Sequence, residues 1–253
     1  MIKNQRQNKL LELLKINNLM SVSELAEILS TSKMTIRRDL EYFEQNGMIE
    51  KIHGGAVLLK SDNGQPSFKE RVIEYNTEKQ RIGKEAAKLI KEGSIVFFDS
   101  GTTPLAIIEN VSDNLGFTAI TTGLATAIAL CNKPKVNVVS IGGDIHCSSY
   151  TSINHMAVEM IKRFNADMAF ISTKAFSIPE GTYELLLPLI EIKRAIVSIS
   201  RKVILVADHS KFENKSLCLS IPMSSIDFII TDDKTPQLLI SEIIANGKEI
   251  IVV

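Results

Sequence analysis

Four short stretches of this 253-residue chain place hydroxyls, glycines and charged groups directly after apolar runs. Asp99-Ser100-Gly101-Thr102-Thr103 follows the run 95–98, and Thr121-Thr122-Gly123 closes the run 117–121. Gly142-Gly143-Asp144 follows 136–141, and Asp208-His209-Ser210-Lys211 follows 203–207. A glycine lets the backbone approach a ligand closely, and a helix that starts there offers free N–H groups to an anion. Lys193, on the helical stretch 188–200, can project a positive charge toward the same place, and Lys211 supplies a second. Hydroxyl and glycine loops with two lysines suit a small phosphorylated or polyhydroxy ligand. Each stretch alone has a plainer reading. Ser-Gly-Thr-Thr is often only a helix cap, 208–211 can be a capped turn, and a lone lysine is usually solvated. The case rests on all of them falling at strand ends on one edge.

A second constellation carries a different chemistry. In Ser32-Lys33-Met34-Thr35-Ile36-Arg37-Arg38-Asp39-Leu40, Ser32 is a suitable N-cap. Ile36, Leu40 and Phe43 recur at spacings of four and three and define one apolar face. Lys33, Thr35, Arg37 and Arg38 fall mostly off that face. A helix with a buried stripe and a Lys/Thr/Arg outer face fits a DNA major groove. The plainer reading is a solvated surface helix.

The flanking residues favour the groove. Ser21-Val22-Ser23-Glu24 forms a capping box. Leu25, Ile28 and Leu29 give the short helix after it a core face. Ser30-Thr31 breaks that helix before Ser32 starts the next, which is a helix-turn-helix with the second helix as reader. Leu10, Leu13, Leu14 and Ile16 mark a preceding helix, with Arg6 and Lys9 on its polar side. Asn46-Gly47 ends the reading helix. Residues 48–57 alternate around a Gly-Gly turn and predict a hairpin wing that brings Lys51 and His53 to the DNA.

From Gly93 onward, apolar runs at 95–98, 117–121, 136–141, 168–172, 203–207, 228–231 and 250–253 alternate with amphipathic stretches at 103–110, 123–131, 155–164, 188–200 and 236–245. That alternation predicts βα units on a mostly parallel sheet, whose ligands bind at the carboxyl ends of strands. The polar stretch 61–67, with Gly64 and Pro66, predicts a linker. The expected domains are 1–60 for DNA binding, 61–75 for the linker and 76–253 for effector sensing.

Composition bounds the rest. Basic and acidic residues balance at 29 each. Residues 1–60 carry nine basic and seven acidic side chains, so a DNA-binding field must be confined to one face. No apolar run reaches the ~18–20 residues of a membrane span. The N-terminus lacks a signal-peptide core, which predicts a cytoplasmic protein with no membrane partner. Cys131, Cys147 and Cys218 show no metal-ligand spacing, and neither a metal nor a cofactor is expected.

Residues 1–57 resemble the DNA-binding domain of the DeoR family of bacterial transcriptional regulators. Arg6, Leu10 and Leu14 match its opening helix, and Ser32, Thr35, Ile36, Arg37, Arg38, Asp39 and Leu40 match its signature. The resemblance continues over about 66–233. Glu70-Arg71, Asn76, Glu78-Lys79 and Ile82 are similar to the family's linker helix. Asp99–Thr103, Gly142-Gly143, Asp167 with Phe170, Lys193-Arg194-Ala195 and Asp208–Phe212 are similar to its effector domain. By resemblance that domain folds like sugar-phosphate isomerases and CoA transferases and binds a phosphorylated sugar or related metabolite, which releases DNA. Departures from the family pattern are His146 for Arg, Asn154-His155 for Gly-Pro, Lys174 for an acid and Leu189 for Glu. A lysine ammonium cannot accept a hydrogen bond from a sugar hydroxyl as a carboxylate does, so Lys174 implies an effector with a second negative group. Alternatively it turns outward or pairs with Glu180 or Glu184.

The expectation is an α/β protein, with an N-terminal winged helix-turn-helix joined to a larger, mostly parallel α/β effector domain. Its function is that of a DNA-binding repressor of a carbohydrate-use operon. Its partners are operator DNA and a small anionic metabolite such as a sugar phosphate, bound by a homodimer or homotetramer. One rival is a sugar-phosphate isomerase with a helical appendage, using Asp99, Lys174 or Asp208 as acid and base. Another is a regulator whose altered pocket senses nothing.

Overall fold

The computed structural model describes residues 3–17, 19–45, 47–52, 54–58 and 66–253. It divides into two compact units, Met1–Thr77 and Glu78–Val253.

The first unit contains α1 (Lys3–Asn17), β1 (Leu19–Ser21), α2 (Val22–Ile28), α3 (Lys33–Gln45), β2 (Ile49–Ile52), β3 (Gly55–Leu58) and α4 (Phe68–Ile73). The capping box ahead of α2 is present. Glu24 N–H donates to Ser21 Oγ at 3.1 Å, and Ser21 N–H donates to Glu24 Oε2 at 2.8 Å. Leu10, Leu11 and Leu14 of α1, Leu25 of α2, and Ile36, Leu40 and Phe43 of α3 share one core. The wing is real but has three strands, in the order β1-β3-β2. A Cβ on Gly55 would lie 2.5 Å from the Met20 carbonyl oxygen, so only glycine lets β3 approach β1 this closely.

Three expectations change here. Ile28 and Ile16 are exposed rather than core, because they lie at the last turns of short helices, beyond the shared core. Arg6 does not face solvent freely. Its Nε donates to Asp39 Oδ2 at 2.6 Å and Nη2 to Oδ1 at 3.3 Å, while Gln7 adds a bond of 3.0 Å. Asp39 is buried, so this fork ties α1 to the reading helix with charge-assisted bonds. Arg6→Ala would leave that carboxylate without its cation. Thermal unfolding should show a loss of about 3 kcal/mol, the low end for a broken buried pair. An unchanged melting temperature would show that Asp39 finds water instead. Third, α4 lies within the expected linker, closed by a second capping box between Ser67 and Glu70.

The second unit begins within α5 (Asn76–Ala87). It continues as β4 (Ile95–Phe98), α6 (Thr102–Asn110), β5 (Phe117–Thr121), α7 (Leu124–Cys131), β6 (Val136–Ser140), β7 (Asp144–His146), β8 (Thr151–Ile153) and α8 (His155–Ile161). Then come β9 (Met168–Ile171), β10 (Ala175–Ser177), β11 (Gly181–Glu184), α9 (Leu187–Ser198), β12 (Val203–Val206), β13 (Cys218–Pro222), β14 (Phe228–Thr231), α10 (Gln237–Ala245) and β15 (Glu249–Val252). The seven predicted apolar runs form one parallel sheet, ordered β15-β14-β12-β9-β4-β5-β6. Both faces are covered, which is why these strands read as unbroken apolar runs. Val96, Phe98, Phe170 and Ile204 pack beside Ile82 of α5 and Ile107 of α6. Phe97, Ile171 and Leu205 pack beside Ile161 of α8, Ile196 of α9 and Ile243 of α10.

β4 has β5 on one side and β9 on the other, and the helices after β4 and β9 cover opposite faces. This is the switch point at which such sheets open a crevice. Two small additions went unforeseen: the antiparallel sheet β10-β11-β13 and the hairpin β7–β8.

Candidate functional site

On the reading helix, Ser32 Oγ accepts the Thr35 N–H at 3.1 Å and lies 2.9 Å from Thr35 Oγ1, so both residues are occupied in capping. Lys33, Arg37 and Arg38 are exposed, while Ile36, Leu40 and Phe43 are buried. The helix therefore sorts its residues as expected: the apolar stripe inward and three cations outward. Lys51 lies on β2 and pairs with Glu44 at 2.7 Å. Both are partly exposed, so the pair is weak. His53 lies outside the described residues.

The strand-end loops meet at the switch point. Asp99 ends β4 almost fully buried. Its Oδ1 accepts the Ser100 N–H at 2.8 Å, and its Oδ2 accepts Ser172 N–H at 3.0 Å, Ser172 Oγ at 2.8 Å and Lys193 Nζ at 2.9 Å. Lys193 also pairs with Glu184 Oε1 at 2.9 Å and donates to the Ser172 carbonyl. Burial alone would push the Lys193 ammonium down. Asp99 and Glu184 outweigh it and hold the group above its ordinary 10.5. Lys193 does project inward, as the sequence suggested. Its charge, however, is taken up by two carboxylates and it shows only 4% exposure, so it fixes the loop rather than presenting free charge. Neither Glu184 nor Ser172 was singled out beforehand as a partner for it.

Around this triad the loops are drawn tight. A Cβ on Gly101 would lie 2.4 Å from Ser172 Oγ, and one on Gly123 would lie 3.1 Å from Ser100 Cα. Thr151 of β8, also missed, donates to Ser100 Oγ at 2.7 Å. Thr121 Oγ1 accepts the Gly123 N–H at 3.0 Å. Glycine caps both α6 and α7, and neither cap makes a side-chain hydrogen bond. The first-turn N–H groups of both helices thus lack a side-chain acceptor, although the first of α7, that of Leu124, donates to the Tyr150 carbonyl at 2.8 Å. Thr102 and Thr103 are buried at the start of α6. Thr122 is also buried, and its hydroxyl has no hydrogen-bond partner.

Two strands away, Asp208 ends β12 fully buried. Oδ1 accepts the Ser210 N–H at 3.1 Å and its hydroxyl, while Oδ2 has no hydrogen-bond partner and lies 3.9 Å from Lys211 Nζ. Burial raises this carboxyl. Lys211, Lys79 and the Ser210 bonds more than offset that and hold it below the usual carboxylate range.

The remaining residues stand apart in different ways. Gly142 and Gly143 are exposed, and Gly143 (φ +141°) approaches the Ile153 carbonyl, so it serves the hairpin. Lys174 is half-buried between β9 and β10.

Residues 6–62 match the DeoR-like helix-turn-helix domain, and residues 74–233 match the DeoR C-terminal sensor domain. The chain belongs to the DeoR family. It is 37% identical over 235 residues to the HTH-type transcriptional regulator GolR of Listeria innocua, covering 93% of this chain and 92% of that one. It is 32% identical over 232 residues to the glycerol-3-phosphate regulon repressor of Escherichia coli, covering 92% of each. Among solved structures it is similar to a probable sor operon regulator of Shigella flexneri, with 15% identity and a TM-score of 0.46 over 65% of this chain and 89% of that one. This DeoR-family protein is a DNA-binding transcriptional regulator with a C-terminal sensor domain. Among the described residues, no helix is long and apolar enough to cross a membrane.

Proposed function

We propose that this regulator represses a carbohydrate-use operon by binding its operator as a homodimer or homotetramer, and that a phosphorylated sugar or related anionic metabolite releases it. One observation carries the sensing half: two helices begin side by side at the switch point, each behind a glycine with no side-chain cap. Such paired N-termini attract an anion through oriented N–H groups and the helix dipole. The unpartnered Thr122 hydroxyl adds a donor there, and the unpartnered Asp208 Oδ2 is an acceptor for a ligand hydroxyl. Asp208 ends the second strand from β4, about 10 Å away at the usual strand spacing. That span suits a ligand with an anionic head and a polyhydroxy tail, and the relative named for a glycerol-3-phosphate regulon has the same family architecture. We do not read the chain as an isomerase. Asp99, the acid at the switch point, is engaged through both oxygens, and the relatives that match over most of the chain are named as regulators.

Lys174 favours an effector with negative charge at both ends, such as a sugar-acid phosphate. In calorimetry, a doubly charged ligand should bind more tightly than its monophosphate, and Lys174→Ala should erase the difference.

The main test is a thermal-shift screen with sugar phosphates, since a ligand at a hundred times its Kd stabilises the native state by roughly 2.7 kcal/mol. A hit should release the operator fragment in a gel shift. Thr102→Ala should lose both responses while keeping DNA affinity, which makes a repressor that never lets go. No stabilisation by any sugar phosphate would favour a domain that only oligomerises, and a Thr102→Ala protein with normal release would move the site elsewhere.

A further inference from the structure

The loops after β12 and β14 are tied to the first turn of α5 by a closed set of charges. Lys234 Nζ donates to Glu78 Oε1 at 2.6 Å, joining residues 156 positions apart. The Lys234 N–H donates to Asp232 Oδ1 at 3.0 Å. Asp232 is fully buried and grips the next loop with both oxygens: Oδ2 accepts the His209 N–H at 2.7 Å, and Oδ1 meets His209 Nδ1 at 2.9 Å. His209 adjoins Asp208, whose charged carboxyl is stabilised by Lys211 and then by the charge of the buried Lys79, one residue after Glu78. The set therefore runs from α5 to the end of β14, to the end of β12, and back to α5.

Its position gives it a use. Glu78 is the first residue of the second unit, and α5 begins two residues earlier, within the first. Few positions outside this turn are both covalently next to the DNA-binding unit and held by the strand-end loops. Asp208, at the opposite point of the set, is the carboxylate with one oxygen free of hydrogen bonds, 3.9 Å from Lys211 Nζ. A donor bound there competes with Lys211 and Lys79 for its charge.

We propose that the charged set Glu78, Lys79, Asp208, His209, Asp232 and Lys234 is the relay that passes the state of the strand-end site to the start of α5, and so to DNA affinity. The proposal rests on the sensing reading above for what arrives at Asp208, but the relay itself is testable without any effector. Coupling between sites is a free energy that either end can disturb.

The experiment measures operator affinity of the full chain by fluorescence anisotropy in a double-mutant cycle. Asp208→Asn removes the charge that an occupied site would mask. In the otherwise native protein it should shift DNA affinity by about fivefold or more, the lower range of allosteric coupling. In a Lys234→Ala background, which opens the set at a half-exposed residue, the same substitution should shift it less than about twofold. The charge exchange Glu78→Lys with Lys234→Glu should restore the larger shift, and it replaces the alanine variant if that one fails to fold. Equal factors in both backgrounds, or no shift in either, would overturn the relay. A parallel thermal shift with glycerol 3-phosphate as probe reports only on the sensing reading. If the probe fails and the cycle couples, the relay stands and the ligand class falls.

Discussion

Replacing Arg37 and Arg38 together by alanine will abolish operator binding and leave the melting temperature nearly unchanged. Both side chains are exposed on α3, and the stripe that holds the helix in its core, Ile36, Leu40 and Phe43, is untouched. A good arginine contact to a base edge gives ~1–3 kcal/mol of discrimination, so losing two should weaken binding by about a hundredfold or more. The unmutated protein should also lose affinity steeply with salt, because neutralised phosphates release counterions. The double variant should show a shallower slope. Native gel-shift affinity in the variant would mean that another element reads the DNA.

Lys193→Met should be the most damaging single change in the sensor unit. It leaves Asp99 and Glu184 buried without their shared cation, and breaking a buried pair this way costs about 3–5 kcal/mol. In a unit of this size that lowers the melting temperature by roughly 10 °C or more. The sign of the pH dependence separates this account from a simple packing defect. In the native protein the raised Lys193 group contributes stability that is fully present below its ordinary 10.5 and lost as pH rises through its raised value. A deficit that does not narrow at all as pH rises above 10.5 would point to lost packing alone.

The parallel sheet was legible in the sequence because strands buried on both faces must be apolar at every position, and 95–98, 168–171 and 203–207 are. The helix-turn-helix was legible because capping and a 3.6-residue period are local signals. What stayed hidden depends on distant pairing. Arg6 looks like any polar helix residue until Asp39, 33 positions on, is folded against it. Lys193 could be placed inward, but its partner Glu184 lies on β11, a four-residue strand that is too short and polar for any period to show. Thr151 was missed for the same reason, since β8 has three residues and reaches Ser100 only because its hairpin folds back.

The central strand also sets a schedule. β4 is flanked by β5, which follows at once, and by β9, whose first residue is Met168. The Asp99 carboxylate must then wait for Lys193, 94 positions later in the chain. At ~5–20 residues added per second, that is roughly 5–20 s on the ribosome with a charged group facing an unfinished core. Until β9 is made, the edge of β4 also has no partner on its β9 side. The sensor domain of the nascent regulator is thus more exposed to misassembly than the helix-turn-helix, whose contacts close among residues already synthesised.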